Sequence, residues 1–128
     1  MKDLRKIIKE EVNKMNHHVS EELLKLSDTF FENGFLVRMY LNKDTIIIMD
    51  LKRRESSLSG TYVMGRITDF ADEHGLKIKL VASPNYGTPL EKLVTFYQKF
   101  GFKIVGDYYG TSSIEMVRED TDYSKEKD

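Results

Sequence analysis

Hydrophobic residues recur along the first part of the chain with the spacing of helices. Apolar positions lie three or four apart among lysines and glutamates, which predicts an amphipathic helix over roughly residues 3–15. Ser20, followed by two glutamates, is typical of an N-cap and predicts a second helix that ends near Asn33 and Gly34. A pair of helices is therefore expected within residues 1–33.

From Phe35 the spacing changes to that of strands. The runs FLVRMYL and TIIIMDL are separated by residues 42–44, whose asparagine, lysine and aspartate suit a tight reversal. This pattern predicts a β-hairpin. After KRRESSLSG the helical spacing returns until Gly75, and LKIKLVAS then has the pattern of another strand.

The last part of the chain predicts one more helix and two strands. Thr88, Pro89 and Glu91 have the arrangement of a capping box with proline at the first helical position, and Gly101 is expected to end the helix. Strands are then expected near residues 102–109 and 113–118. The polar tail 119–128 is expected to be flexible.

This order of elements predicts an α/β fold, in which a mixed sheet carries helices on its faces. We expect a single domain over residues 1–118, because the chain has one domain's length and shows neither a repeat nor a linker.

Composition limits the classes of function that we expect for the chain. The net charge of −1 provides no broad field for nucleic acid, and the longest apolar run, residues 46–49, is too short to cross a membrane. The chain has no cysteine, which fits a reducing compartment, so we expect a cytoplasmic protein. The three histidines, His17, His18 and His74, do not predict a metal site.

Three segments together resemble the GNAT superfamily of acyl-CoA-dependent N-acyltransferases, including small phage-encoded members. FYQKFGF looks like the family's last-helix signature, EMVR like its final strand, and GTYVMGRITDFADEHG like the helix after its pyrophosphate loop. The resemblance covers residues 35–118. It implies a GNAT-like, mostly antiparallel central sheet flanked by helices, with the N-terminal helix pair in place of the family's usual first strand.

The resemblance also implies catalytic roles. Tyr97 matches the tyrosine that protonates the departing CoA thiolate, and a phenol with a pKa of about 10 is suited to that task. The family's oxyanion donor, a backbone N–H exposed where two central strands separate, should lie near Asp50 or Leu51. Asp50 could also accept a proton from the amine. Spacing alone favours Tyr97 as a core aromatic and Asp50 as a polar residue at a strand end, whereas the flanking signature favours the catalytic role of Tyr97.

The pyrophosphate loop departs from the family pattern. Of its expected positions Gly60 is retained, whereas Leu58 and Glu55 replace a glycine and a basic or amide residue. Nearby hydroxyls, cations and amides could compensate, and Asn85 could contact the pantetheine arm. The residues implied to bind cofactor are Leu51, Arg53, Arg54, Ser57, Ser59, Gly60, Thr61 and Asn85. In the competing interpretation the serines only cap the helix and the basic run is a solvated strand end.

Two functions from different classes follow. In the first, the protein transfers an acetyl group from acetyl-CoA to a primary amine on a small molecule or protein. In the second, it is an inactive interaction protein with the same fold, such as a phage accessory factor that binds a host protein. Both hypotheses allow a homodimer formed through the N-terminal helices.

Overall fold

A computed structural model describes residues 4–54, 58–84, 88–105 and 113–119. The helices are α1 (Leu4–Glu32), α2 (Gly60–His74) and α3 (Leu90–Gln98). The strands are β1 (Phe35–Asn42), β2 (Thr45–Arg53), β3 (Lys77–Ala82), β4 (Lys103–Ile104) and β5 (Ile114–Arg118). No helix in these ranges is long and apolar enough to cross a membrane.

The prediction of two N-terminal helices is wrong, because α1 is one continuous helix of 29 residues. Ser20 lies in its interior instead of capping a second helix. Two pairs spaced four residues apart bridge the expected break, His17 with Glu21 at 3.0 Å and His18 with Glu22 at 3.1 Å. Such pairs stabilise a helix, and the segment contains neither glycine nor proline to interrupt it.

The β-hairpin is confirmed. β1 and β2 pair antiparallel from Phe35 opposite Arg53 to Asn42 opposite Thr45. Lys43 turns the chain with a φ of 56°, in the left-handed region that tight reversals use.

The five described strands form one sheet in the order β1-β2-β3-β5-β4. β2 and β3 run parallel, and the other described neighbours run antiparallel. α2 connects the parallel strands, as a crossover requires, and Gly75 ends it with a φ of 64° as expected. The mixed, mostly antiparallel sheet with helices is therefore confirmed.

The core lies against one face of this sheet. β3 buries Ile78, Leu80 and Ala82 on that face, whereas Lys79 and Val81 on the opposite face are exposed. Fully buried side chains on α1, α2 and the central strands complete the core; examples are Phe30, Ile46, Val63, Ile67, Ile78 and Met116.

The expected capping box at α3 is wrong. Pro89 is the N-cap residue, and no side chain among the described residues caps the helix; the Pro89 carbonyl instead accepts from the N–H groups of Lys92 and Leu93. The helix ends at Gln98, and Gly101, with a φ of 92°, follows in the next turn. Within the described residues the strand expected at 102–109 is limited to β4, and the expected tail lies outside them beyond Glu119.

Candidate functional site

The two central parallel strands separate part-way along their length. β2 and β3 pair from Thr45 opposite Lys77 to Ile48 opposite Leu80, and their mutual pairing ends there. Beyond that point β2 stays with β1 as far as Arg53, and β3 stays with β5. A wedge-shaped gap therefore opens between two strands in the middle of the sheet.

A β-bulge in β2 lies where the strands separate. Arg38 of β1 is opposite Asp50 and Met39 is opposite Ile48, which leaves Met49 without a partner in β1. A bulge bends its strand and increases the local twist. The bulge at Met49 thus accounts for the departure of β2 from its parallel neighbour.

The Leu51 N–H is directed into this gap. The N–H of Arg54 donates to the carbonyl of Gly34 at 2.9 Å, so the backbone N–H of Arg54 points toward β1. The direction of the N–H alternates along a strand, so the N–H of Lys52, opposite Leu36, points toward β1 as well. The N–H of Leu51, between them, points away from β1 and toward the gap.

The gap belongs to a cleft of about 380 Å³. Five residues expected at the site line it together: Asp50, Leu51, Arg53, Gly60 and Tyr97. Arg54, Ser59 and Thr61 are not among the described lining residues. Ser57 and Asn85 lie outside the described residues, so their expected roles stay predictions.

The start of α2 forms one wall of the cleft. Ser59 precedes the helix in an extended conformation, and its Oγ accepts a hydrogen bond from the N–H of Tyr62 at 3.0 Å. Ser59 therefore caps α2, and its expected role in cofactor binding stays a prediction. The N–H groups of Gly60 and Thr61 have no acceptor among the residues that the structure describes. These groups lie at the positive end of the helix dipole.

Leu58 does not obstruct the cleft. Its side chain is half-buried and packs against the hydrophobic core, and it is not among the described residues that line the opening. The replacement of the family's glycine by leucine therefore leaves space beside Gly60.

Tyr97 lies on α3 at the inner end of the cleft. Its side chain packs edge-on against Phe96 and Phe102, with ring centroids 5.4 and 5.7 Å away, and the residue is 8% exposed. Burial raises the pKa of Tyr97 above its ordinary value of 10.0. Tyr97 is thus both a core aromatic and a lining residue, and its hydroxyl keeps its proton at neutral pH.

Asp50 lies at the bulge, not at the strand end that one interpretation had expected. Its Oδ2 is 3.5 Å from Nη1 of Arg38 on β1. Both side chains are solvent-accessible, so this ion pair orients the carboxylate without removing it from water.

Sequence reasoning missed several residues of the site. Ser83 and Thr88 line the cleft from the segment after β3, and the sequence indicated only a strand end and a helix cap there. Outside the cleft it also missed an ion pair between the buried Arg118 and the exposed Asp72, whose nitrogen and oxygen atoms are 2.9 Å apart. The two residues are separated by 46 positions, and no local pattern connects them.

No protein-family profile matches the chain, and no curated protein matches its sequence. Solved structures do resemble it. An acyl-CoA N-acyltransferase from Pseudomonas aeruginosa superposes with a TM-score of 0.52 at 18% identity, over 66% of this chain and 59% of that one. A putative acetyltransferase from the GNAT family of Bacteroides thetaiotaomicron superposes with a TM-score of 0.50 at 14% identity, over 73% and 58%.

The chain has the GNAT fold. The expected fold is therefore confirmed, although the chain spans less than two thirds of either acyltransferase. The anti-CRISPR protein AcrVA5 is similar too, with a TM-score of 0.50 at 23% identity over 64% of this chain and 88% of its own. The sequence resemblance to GNAT proteins had indicated two features of this site, namely the separated strands β2 and β3 and the start of α2.

Proposed function

We propose that this protein is an N-acetyltransferase that uses acetyl-CoA and acts on a primary amine. One observation carries the proposal: a single cleft is lined by a phenol, by an inward-directed backbone N–H and by the start of a helix. These groups come from α3, β2 and α2, which are distant in sequence. A proton donor, an oxyanion donor and an anion site are the groups that acyl transfer from a phosphate-bearing thioester requires.

The residues at the start of α2 fit a diphosphate. Gly60 and Thr61 offer two N–H groups at the positive end of a helix, and Gly60 has no side chain to fill the adjoining space. Arg53 lines the same cleft and adds a positive charge. The cleft volume of about 380 Å³ is within the usual range for small-molecule sites.

Each remaining group has one task in the proposed reaction. Acetyl-CoA supplies an acyl group activated as a thioester. The Leu51 N–H donates to the carbonyl oxygen as that oxygen gains negative charge. The neutral form of the amine attacks the carbonyl carbon, and the carbon–sulfur bond breaks as the carbonyl re-forms. The Tyr97 hydroxyl carries a proton at neutral pH, gives it to the departing sulfur and regains one from the attacking nitrogen, which has become positively charged. The surrounding aromatic rings keep bulk water away from this proton.

Asp50 lies on the side of the gap formed by β2 and attracts the cationic amine. An aspartate has an ordinary pKa of about 3.9, so it is a weak base but an effective electrostatic partner for an ammonium group. We therefore assign Asp50 to acceptor binding.

Binding and turnover test the proposal separately. Acetyl-CoA at about 100 times its dissociation constant should stabilise the protein by about 2.7 kcal/mol, which a thermal melt detects. Thiol release is then measured with a panel of primary amines and lysine-bearing peptides, using desulfo-CoA as a binding control that cannot react. Binding with amine-dependent thiol release is the expected result. If acetyl-CoA fails to stabilise the protein, the transferase proposal is wrong and the interaction-protein hypothesis takes its place.

A further inference from the structure

Arg118 connects the C-terminal ends of the two helices that line the cleft. Its two terminal nitrogens donate to both carboxylate oxygens of Asp72, at 2.9 and 3.1 Å, and its Nε donates to the carbonyl of Phe100 at 2.7 Å. Asp72 lies in the last turn of α2, and Phe100 lies in the turn after α3. Arg118 itself is on β5 and only 7% exposed.

The chemistry of these contacts is specific to arginine. The planar guanidinium donates two parallel bonds to a carboxylate and a third to a carbonyl, which the single ammonium of lysine cannot do in the same geometry. α3 has no basic residue in its own last turn. Arg118 therefore supplies, from another element, the positive charge that favours a helix C-terminus.

The turn held by Arg118 also holds Tyr97. The N–H groups of Phe100 and Phe102 both donate to the Tyr97 carbonyl, at 3.0 and 3.3 Å. The ring of Phe102 packs against the ring of Tyr97. A displacement of the Phe100 carbonyl would consequently move the residue that carries the phenol.

The same two helices also approach each other beside the cleft. A Cβ placed on Gly60, the first residue of α2, would lie 3.5 Å from Cζ of Phe96 on α3. The helices are thus close together at Gly60 and are connected through Arg118 at their C-terminal ends.

We propose that Arg118, together with Asp72, is a positioning residue that sets the place of the Tyr97 hydroxyl relative to the start of α2. It acts through Asp72 and the turn at Phe100. The kinetic consequence of this inference rests on the proposed function, whereas its effect on Tyr97 does not. Misplacing a reacting group by about 1 Å can lower a rate roughly 100-fold.

Kinetics give the first test. We expect Arg118→Lys and Asp72→Asn to lower kcat by about 10- to 100-fold while the KM for acetyl-CoA changes by less than about threefold. The matched control is Glu119→Gln, which removes an exposed partner of Lys77, 3.8 Å away, from the residue next to Arg118. The control should behave as wild type. An unchanged kcat in both folded variants, or a loss confined to KM, overturns the inference.

A second readout does not need enzymatic activity. The titration of Tyr97 is followed by NMR in protein labelled at tyrosine Cζ, and its signal among the seven tyrosines is assigned with Tyr97→Phe. In Arg118→Lys and Asp72→Asn the signal should titrate at lower pH than in wild type, because a displaced ring gains solvent. If Arg118→Lys does not fold, Asp72→Asn decides alone.

The two readouts separate two kinds of failure. An unchanged Tyr97 titration in the folded variants overturns the positioning role whatever the activity. A shifted titration in a protein that transfers no acetyl group supports the positioning role and rejects the proposed function.

Discussion

Gly60 at the start of α2 lies beside Phe96 of α3, and a Cβ on Gly60 would be in ordinary van der Waals contact with Cζ of Phe96 at 3.5 Å. The space therefore admits one methyl group. A methyl group can therefore be added at Gly60 without removing its backbone N–H, so the effect of side-chain volume can be measured apart from the effect of losing the donor.

Gly60→Pro should weaken acetyl-CoA binding while the helix remains intact. Proline suits the first helical position, and Ser59 before it already has the extended conformation that proline requires. The change removes one donor to a charged group, worth about 1.5–3 kcal/mol, so the dissociation constant should rise about 10- to 100-fold in calorimetric titration.

Gly60→Ala is the matched control for this variant. It adds a methyl group but keeps the N–H, so its affinity should stay within about threefold of wild type. Equal losses in the alanine and proline variants would mean that the Gly60 N–H does not bind phosphate.

Tyr97→Phe should lower kcat by about 100- to 10,000-fold, because a general acid typically contributes that much. The ring and its packing against Phe96 and Phe102 are retained, so acetyl-CoA should still raise the melting temperature as it does in wild type. Thiol release measures the loss. Near-normal turnover in the variant would leave Tyr97 with its core-packing role alone.

The stability of the protein should fall at alkaline pH because of Tyr97. Burial raises its pKa in the folded state, so the folded protein holds this proton more tightly than the unfolded chain does. The contribution of this proton to the free energy of unfolding is fully present below the pKa of the unfolded chain, about 10. It is lost as the pH rises through the pKa of the folded protein.

Urea denaturation at a series of pH values checks this dependence. The free energy of unfolding of wild type should fall relative to that of Tyr97→Phe as the pH rises past about 10. Tyr62→Phe, a change at an exposed tyrosine of α2, is the control. A relative fall of the same size against the control would contradict the assignment to Tyr97.

Asp50→Asn should raise the KM for the amine by roughly 2- to 5-fold, because an accessible ion pair is worth about 1 kcal/mol or less and the variant removes one negative charge. The affinity for acetyl-CoA should not decrease. Asp44→Asn, at the hairpin turn, controls for the loss of an exposed aspartate near the same strand. A selective loss of acetyl-CoA binding would assign Asp50 to the donor side instead.

Local signals accounted for much of the fold. The hairpin at Lys43 and the end of α2 at Gly75 depend on conformations that a few adjacent residues determine, and both were predicted. The break at Ser20 was predicted wrongly for the same reason: its capping signal is local, and contacts between side chains four residues apart favour a continuous helix.

Single residues that line the cleft could be predicted, but their arrangement could not. The resemblance pointed to Tyr97 and Gly60, which both line the cleft. Nothing pointed to the bulge at Met49, because the apolar run in TIIIMDL is that of an ordinary buried strand. The bulge depends on the pairing of β2 with β1 on one side and its loss of β3 on the other. The contact of Arg118 with Asp72 depends on the sheet order in the same way.

That sheet order also has a consequence for how the molecule is made. β5 is the last described strand to leave the ribosome, yet it is inserted between β3 and β4, which are made earlier. Until it arrives, the edge of β3 that faces away from β2 and the gap is unpaired, and such edges invite association between chains. A nascent or truncated chain without β5 should therefore aggregate, and it would also lack the arginine that joins α2 to α3.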